Sequence, residues 1–198
     1  MSETDVNDFL ALIILLFWPV IPLFWIPVHF AARFFKRLGL WTYLLPLLTW
    51  IPGAYLIYAY RSHLLQLRIP LPDVLNLVGV PILFAGLLLH LWTARLLGLW
   101  GIIGVPEVFP KMKKKLVSKG PYSVVRHPTY LAHTMIFSGV FFITEVVALG
   151  ALTIGDFIIV NAVIIPLEEK ELLRRFGKEY RSYQEEVPQR FFPRLPKK

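Results

Sequence analysis

YLAHTMIFSGVFFITEVVALGALTIGDFIIVNAVIIPL, running from Tyr130 to Leu167, is the stretch that decides the fold. As one helix it would be about 57 Å long at about 1.5 Å per residue, while the hydrocarbon core of a bilayer is about 30 Å thick. The run must therefore turn back on itself, and Glu145 to Gly150 is its natural corner, which predicts a hairpin of two helices. Upstream, Phe9 to Phe30, Leu40 to Tyr60 and Val74 to Leu97 are apolar runs of crossing length. The expected fold class is all-α: a multi-pass transmembrane helical bundle of about five spans. Composition agrees, because 56% hydrophobic and 15% aromatic residues make the chain too apolar for a soluble domain of 198 residues. Residues 1–198 read as a single integral membrane domain, with 1–97 its N-terminal transmembrane helices.

An odd number of spans puts the termini on opposite sides. With the N-terminus outside and the C-terminus cytoplasmic, only Arg61 and Arg68 of the 21 Lys and Arg residues face outward, as the positive-inside rule prefers. Glu3, Asp5 and Asp8 suit the translocated side. The N-terminal stretch has no basic n-region or cleavage site, so the first span is expected to be retained. The net charge of +8 is accounted for by cytoplasmic loops against anionic lipid headgroups, which makes the membrane, not nucleic acid, the expected partner. Zero cysteines exclude disulfides and thiolate metal sites. Pro19, Pro22 and Pro27 should kink the first span, and Pro46 and Pro52 the second. The connection from Gly98 to Lys119 begins apolar and ends basic, as an interfacial segment does.

Two polar motifs flank the hairpin, GPYSVVRHPTY (Gly120 to Tyr130) and PLEE (Pro166 to Glu169), and the turn brings them to the same side. Pro128 biases His127 away from helical geometry and suits the first turn of the helix that follows, so His127 stands at its N-terminal entrance. There, backbone amides, the helix dipole and Arg126 can hold an anionic group, or Arg126 and His127 can simply anchor the helix end among headgroups. Tyr122 and Tyr130 each offer a ring for stacking and a hydroxyl, or they belong to the interfacial aromatic belt. Glu168 and Glu169 can receive an ammonium group or hydroxyls, or can serve as favourable negative charge at the start of a C-terminal helix. If both face one pocket, their repulsion calls for a cation such as Arg126.

After Pro166, the spacing of Leu172, Phe176, Tyr180, Tyr183 and Val187 predicts an amphipathic cytoplasmic helix rather than a sixth span. Glu171 with Arg175 reads as a solvated i, i+4 pair of little weight. From Val187 through Pro193 to Pro196 the chain should wrap back as an extended strap. His90, His133, Glu145, Asp156 and Asn161 fall inside apolar runs, where polar groups are functional candidates; Glu145 is better explained as the hairpin corner, and His133 or His90 is a candidate partner of Asp156 that the sequence alone does not assign. The absence of a zinc-binding helix motif, a Gly-rich phosphate loop and a Ser-centred elbow argues against hydrolase and ATPase chemistry. No metal is expected.

LVSKGPYSVVRHPTY (Leu116 to Tyr130), about forty apolar residues, and then PLEEKELLRRFGKEYRSYQEEVPQRFFP (Pro166 to Pro193) together resemble the isoprenylcysteine carboxyl methyltransferase and phospholipid methyltransferase superfamily of integral membrane enzymes. The resemblance covers about the C-terminal half. It implies that residues 98–198 form a cofactor-binding half in which the hairpin and its flanking segments enclose S-adenosylmethionine. By position, Leu116 and Val117 would line the cofactor site, Tyr122 would contact it, and His127, Pro128, Thr129 and Tyr130 would hold it. Glu168 or Glu169 would bind its polar end, and Arg126, His127, Glu168 and Glu169 form the implied catalytic set. The implied reaction is methyl transfer to a lipid or lipidated acceptor entering from the bilayer, either a phospholipid amine or a prenylcysteine-like carboxylate. Members acting on prenylcysteine tend to carry an arginine shortly before the acidic pair, where this chain has Ile164, Ile165 and Pro166. Two other readings share the layout: an NADPH-dependent membrane reductase of the sterol or steroid type, and a non-catalytic lipid-binding scaffold.

Overall fold

A computed structural model describes residues 3–109 and 115–193. The first pass joins α1 (Glu3–Phe17) and α2 (Val20–Phe30) across a break at Trp18 and Pro19, where the proline cannot donate to the helix ladder. The second pass comprises α3 (Ala32–Leu38), a 3₁₀ turn (Gly39–Tyr43) and α4 (Leu44–Ala59). It begins earlier than Leu40 because Ala32 and Phe35 are buried, so the basic stretch around Lys36 is helical rather than a loop. A short α5 (Arg61–Gln66) leads to α6 (Asp73–Ile102), which is interrupted at Gly98, where φ is 70° and ψ is 167°. The connection beyond it holds α7 (Val105–Val108), and its lysines at 111, 113 and 114 lie outside the described residues.

The long apolar run turns where its length requires. Its arms are α8 (Pro128–Thr144) and α9 (Val147–Ile159), and Glu145 between them is left-handed at φ 60°. The corner is held by hydrogen bonds from across the bundle. Glu145 Oε1 accepts from the Leu71 amide at 2.8 Å and from Asn76 Nδ2 at 3.3 Å. Arg68 Nη1 donates to the Thr144 carbonyl at 2.7 Å, and Arg68 also pairs with Asp8. Asp8, Arg68 and Glu145 thus share one end of the bundle, while the opposite end gathers His127, Glu168 and Glu169.

Among the described residues, four helices are long and apolar enough to cross a membrane: Thr4–Phe30, Ala32–Ala59, Asp73–Gly98 and Val147–Phe176. With 17 residues and no Asp, Glu, Lys or Arg, α8 is about 26 Å long, at the lower limit of crossing length. It lies close against α6 because the contact is built on glycine. A Cβ on Gly139 would stand 2.6 Å from the Leu83 amide nitrogen and 2.8 Å from the Gly79 carbonyl oxygen.

The C-terminal amphipathic segment differs from its expected form. Rather than starting afresh after Pro166, α10 (Ile165–Phe176) continues α9 through one π-helical turn, Val160–Ile164. The wider turn accommodates a proline that can neither donate to nor pack against a regular preceding turn. Gly177, at φ 56°, then separates α10 from α11 (Lys178–Glu186). Tyr180, Tyr183 and Val187 of the expected apolar stripe are buried, with Leu172, Leu173 and Phe176 packed against them. As far as Pro193, the strap runs beside residues 126 and 127; its continuation to Pro196 lies outside the described residues.

Candidate functional site

Because the hairpin returns α10 to the entrance of α8, the two polar motifs meet. His127 is the residue before the α8 helix, non-helical at φ −123° and ψ 58°, with Pro128 at the first helical position. The strap fixes this entrance: the Arg126 amide donates to the Gln189 carbonyl at 2.9 Å, and the His127 amide to the Arg190 carbonyl at 3.1 Å. Buried Phe191 seats the strap in an apolar floor with Tyr130, Val160, Ile164 and Ile165.

Glu169 is the centre of the cluster and is buried. Its Oε1 accepts from Arg126 Nε at 2.9 Å and lies 3.2 Å from His127 Nε2, and its Oε2 accepts from Arg190 Nη2 at 3.1 Å. Arg126 Nη1 donates to the Val187 carbonyl at 2.8 Å. Two guanidiniums and an imidazole therefore balance one carboxylate, which resolves the expected repulsion within the acidic pair. The same contacts correct the expected role of Arg126: its guanidinium is directed to Glu169 and the strap, not to an anion at the helix entrance. Helix start charge is also ruled out for the pair, since Glu168 and Glu169 sit within the continuous α9–α10 helix.

Glu168 is held differently. Its Oε2 is 3.6 Å from His127 Nδ1, too long for a hydrogen bond, and this buried oxygen has no hydrogen-bond partner among the described residues. The buried Tyr180 hydroxyl likewise has none. Such groups are costly unless something else satisfies them. Around them the tyrosines form a rigid wall. Tyr122 and Thr129 share a hydrogen bond between their hydroxyls at 3.1 Å, and the Tyr183 hydroxyl donates to the Tyr122 carbonyl at 2.7 Å. Burial pushes the phenols of Tyr122, Tyr180 and Tyr183 above their ordinary value, and negative charge on Glu168 or Glu169 adds to this at each of Tyr122, Tyr180 and Tyr183 in part. All three stay protonated at neutral pH. Leu116 packs, half-buried, against the Tyr180–Tyr183–Val187 cluster, and Val117 is half-buried beside it in sequence.

Every residue expected at the site is thus in or next to this cluster, although Tyr130 faces the apolar floor and Tyr122 uses its hydroxyl on Thr129. Sequence reasoning missed Arg190, and it placed Tyr180 and Tyr183 only on an apolar stripe. The prolines of the strap and the four-residue apolar spacing were the available signals, but they gave a path without a contact. It also misread Glu171. The pair with Arg175 is present, with Nη1 3.9 Å from Oε1, but it is not solvated: Glu171 is buried on another face of α10, with Oε2 3.1 Å from His29 Nδ1 and Oε1 accepting from Lys36 Nζ at 2.9 Å. Asp156 is likewise bonded not to a histidine but to Trp18, whose Nε1 donates to Oδ1 at 2.8 Å. His90 and His133 face each other instead, with ring centroids 4.9 Å apart.

A family model described as phospholipid methyltransferase matches residues 74–179, just over half of the chain. That region takes in α6, the hairpin and both carboxylates, and it stops short of Arg190. The chain is 30% identical over 115 residues to the cobalt-zinc-cadmium resistance protein CzcN of Cupriavidus metallidurans, covering 52% of each protein. It is 36% identical over 81 residues to the nickel-cobalt-cadmium resistance protein NccN of Alcaligenes xylosoxydans xylosoxydans, covering 41% of this chain and 37% of that one. The chain therefore spans about half the length, or less, of these relatives.

Proposed function

The chain belongs to the phospholipid methyltransferase family, and on that premise we propose that it catalyses methyl transfer from S-adenosylmethionine to a lipid or lipidated acceptor held in the bilayer. The observation that carries this reading is the unpartnered, buried Oε2 of Glu168 beside an otherwise satisfied charge cluster. A carboxylate oxygen so placed fits the α-ammonium of the cofactor, and the Tyr180 hydroxyl fits a second polar group. Arg190, whose side chain is 45% exposed, retains open guanidinium surface for the cofactor carboxylate. Leu116, Val117 and Tyr122 would border the rest of the ligand, and His127, Pro128, Thr129 and Tyr130 would fix its floor.

When bound, S-adenosylmethionine supplies a methyl group on a sulfonium for in-line displacement. The chain's own contribution is alignment and exclusion of water. His127 and Arg126 both hold Glu169, which ties the two motifs together. Against the cost of its burial, His127 and then Arg126 keep Glu169 ionised, Arg190 adds a hydrogen bond that holds it in place, and the strap with Phe191 closes the apolar side. We place this end of the bundle on the cytoplasmic face and the Asp8–Arg68–Glu145 end outside, as the positive-inside distribution favours.

In liposomes, the protein with methyl-labelled S-adenosylmethionine is expected to transfer label into the lipid phase, and Glu168→Gln to transfer far less. Label that stays wholly in water with the folded wild type, across amine-bearing lipids and prenylated thiols, would sink the proposal.

A further inference from the structure

We propose that His133, seconded by His90, is the proton acceptor for a lipid headgroup bearing a primary or secondary amine; the catalytic part of this rests on the methyl-transfer reading above. An ammonium nitrogen has no lone pair, so an amine acceptor must lose a proton before it can attack. The charge cluster holds no free base for that step. Glu169 is bonded by Arg126, Arg190 and His127, the two ring nitrogens of His127 face Glu169 and Glu168, and the open oxygen of Glu168 is assigned to the cofactor.

Among the described residues, three ring nitrogens are buried without a hydrogen-bond partner: His29 Nε2, His90 Nδ1 and His133 Nδ1. His29 stands with Glu171, on another face of α10. His90 and His133 lie together where α6 meets α8, their rings tilted by 39° at 4.9 Å. They are also in line with the site. On α8 the rings of His127 and Tyr130 stack at 6.0 Å, and Tyr130 meets His133 edge to face at 6.2 Å. The steps 127, 130, 133 wind part way round α8 and are joined by these ring contacts, and they carry His133 about 9 Å along the helix at about 1.5 Å per residue. With the α8 entrance placed at the headgroup level, this distance matches the boundary between headgroups and acyl chains, about 5–10 Å deep.

The step balances without a further reagent. An N–H bond of the ammonium breaks, its electron pair stays on nitrogen as the attacking lone pair, and the proton passes to Nδ1 of His133, in the tautomer that carries its own hydrogen on Nε2. The imidazolium returns this proton to water after product leaves. Two open nitrogens side by side suit a headgroup with more than one N–H to donate, and they exclude a quaternary ammonium, which has none.

Two measurements test this. The first uses ¹⁵N-histidine protein in nanodiscs without S-adenosylmethionine, with the His133 signals identified by their loss in His133→Gln, or through His90→Gln if that variant does not fold. Added phosphatidylethanolamine should shift the Nδ1 resonances of His133 and His90, and phosphatidylcholine should not; no shift, or the same shift with both lipids, overturns the headgroup site. In the second, His133→Gln and His90→Gln should bind S-adenosylmethionine as the wild type does, while methylation of phosphatidylethanolamine by His133→Gln falls about 100-fold or more. Methylation at the wild-type rate in both variants overturns the catalytic role. A wild type that binds no S-adenosylmethionine removes the methyl-transfer reading, and with it that role, while the nitrogen shifts still decide the headgroup site.

Discussion

The two ends of the bundle use the same residue types to opposite effect. At the corner end, Glu145 and Arg68 direct their side chains to backbone: Glu145 to the Leu71 amide, Arg68 to the Thr144 carbonyl. Charge there closes a turn. At the other end Glu169 is surrounded by Arg126, Arg190 and His127, yet its neighbour Glu168 keeps a buried oxygen open. Charge alone therefore does not mark a site in this protein; what distinguishes the second end is an open carboxylate oxygen beside a satisfied charge cluster.

Substitutions that attack this contrast are ordered by how much buried charge each leaves uncompensated. Glu169→Ala strands Arg126 and His127, both buried, and is expected to cost about 3–5 kcal/mol in thermal unfolding in detergent. A loss below about 1 kcal/mol would show that the cluster is hydrated and not a closed charge balance. Glu171→Ala comes next, at about 2–3 kcal/mol, because Lys36 is partly exposed and can be rehydrated. Its loss should loosen α2 and α3 from α10, read as faster amide exchange in α3. Glu145→Ala removes the hydrogen bonds to Leu71 and Asn76 and should cost about 1–2 kcal/mol with cofactor affinity unchanged. A large drop in affinity there would break the separation of the two ends. Asp8→Asn, at a side chain 40% exposed, should fall within about 1 kcal/mol of the wild type.

How far the sequence was legible follows from where each partner lies in the chain. The hairpin could be read because a length argument is local: Tyr130 to Leu167 is too long, and Glu145 interrupts it. His127 at a helix entrance followed from Pro128 beside it, and the strap followed from its prolines. Glu171 could be read only in part: Arg175 four residues on is a partner, but His29 and Lys36, which bury the carboxylate, lie 142 and 135 positions away. Asp156 failed in the same way, with Trp18 lying 138 positions away. The joining of α9 to α10 was hidden by Pro166, since a π-helical turn lets a helix continue where the residue rule stops it. The open oxygen of Glu168 is a property of packing and has no sequence signal at all.

Calorimetric titration of the detergent-solubilised wild type and of Glu168→Gln with S-adenosylmethionine, with NADPH as the parallel ligand, tests the site most directly. Saturable binding of S-adenosylmethionine and not NADPH is expected, weakened about tenfold or more by Glu168→Gln, as loss of a charged hydrogen bond implies. Equal affinity in the two folded proteins, or binding of NADPH alone, would contradict the assignment of the open carboxylate to the methyl donor.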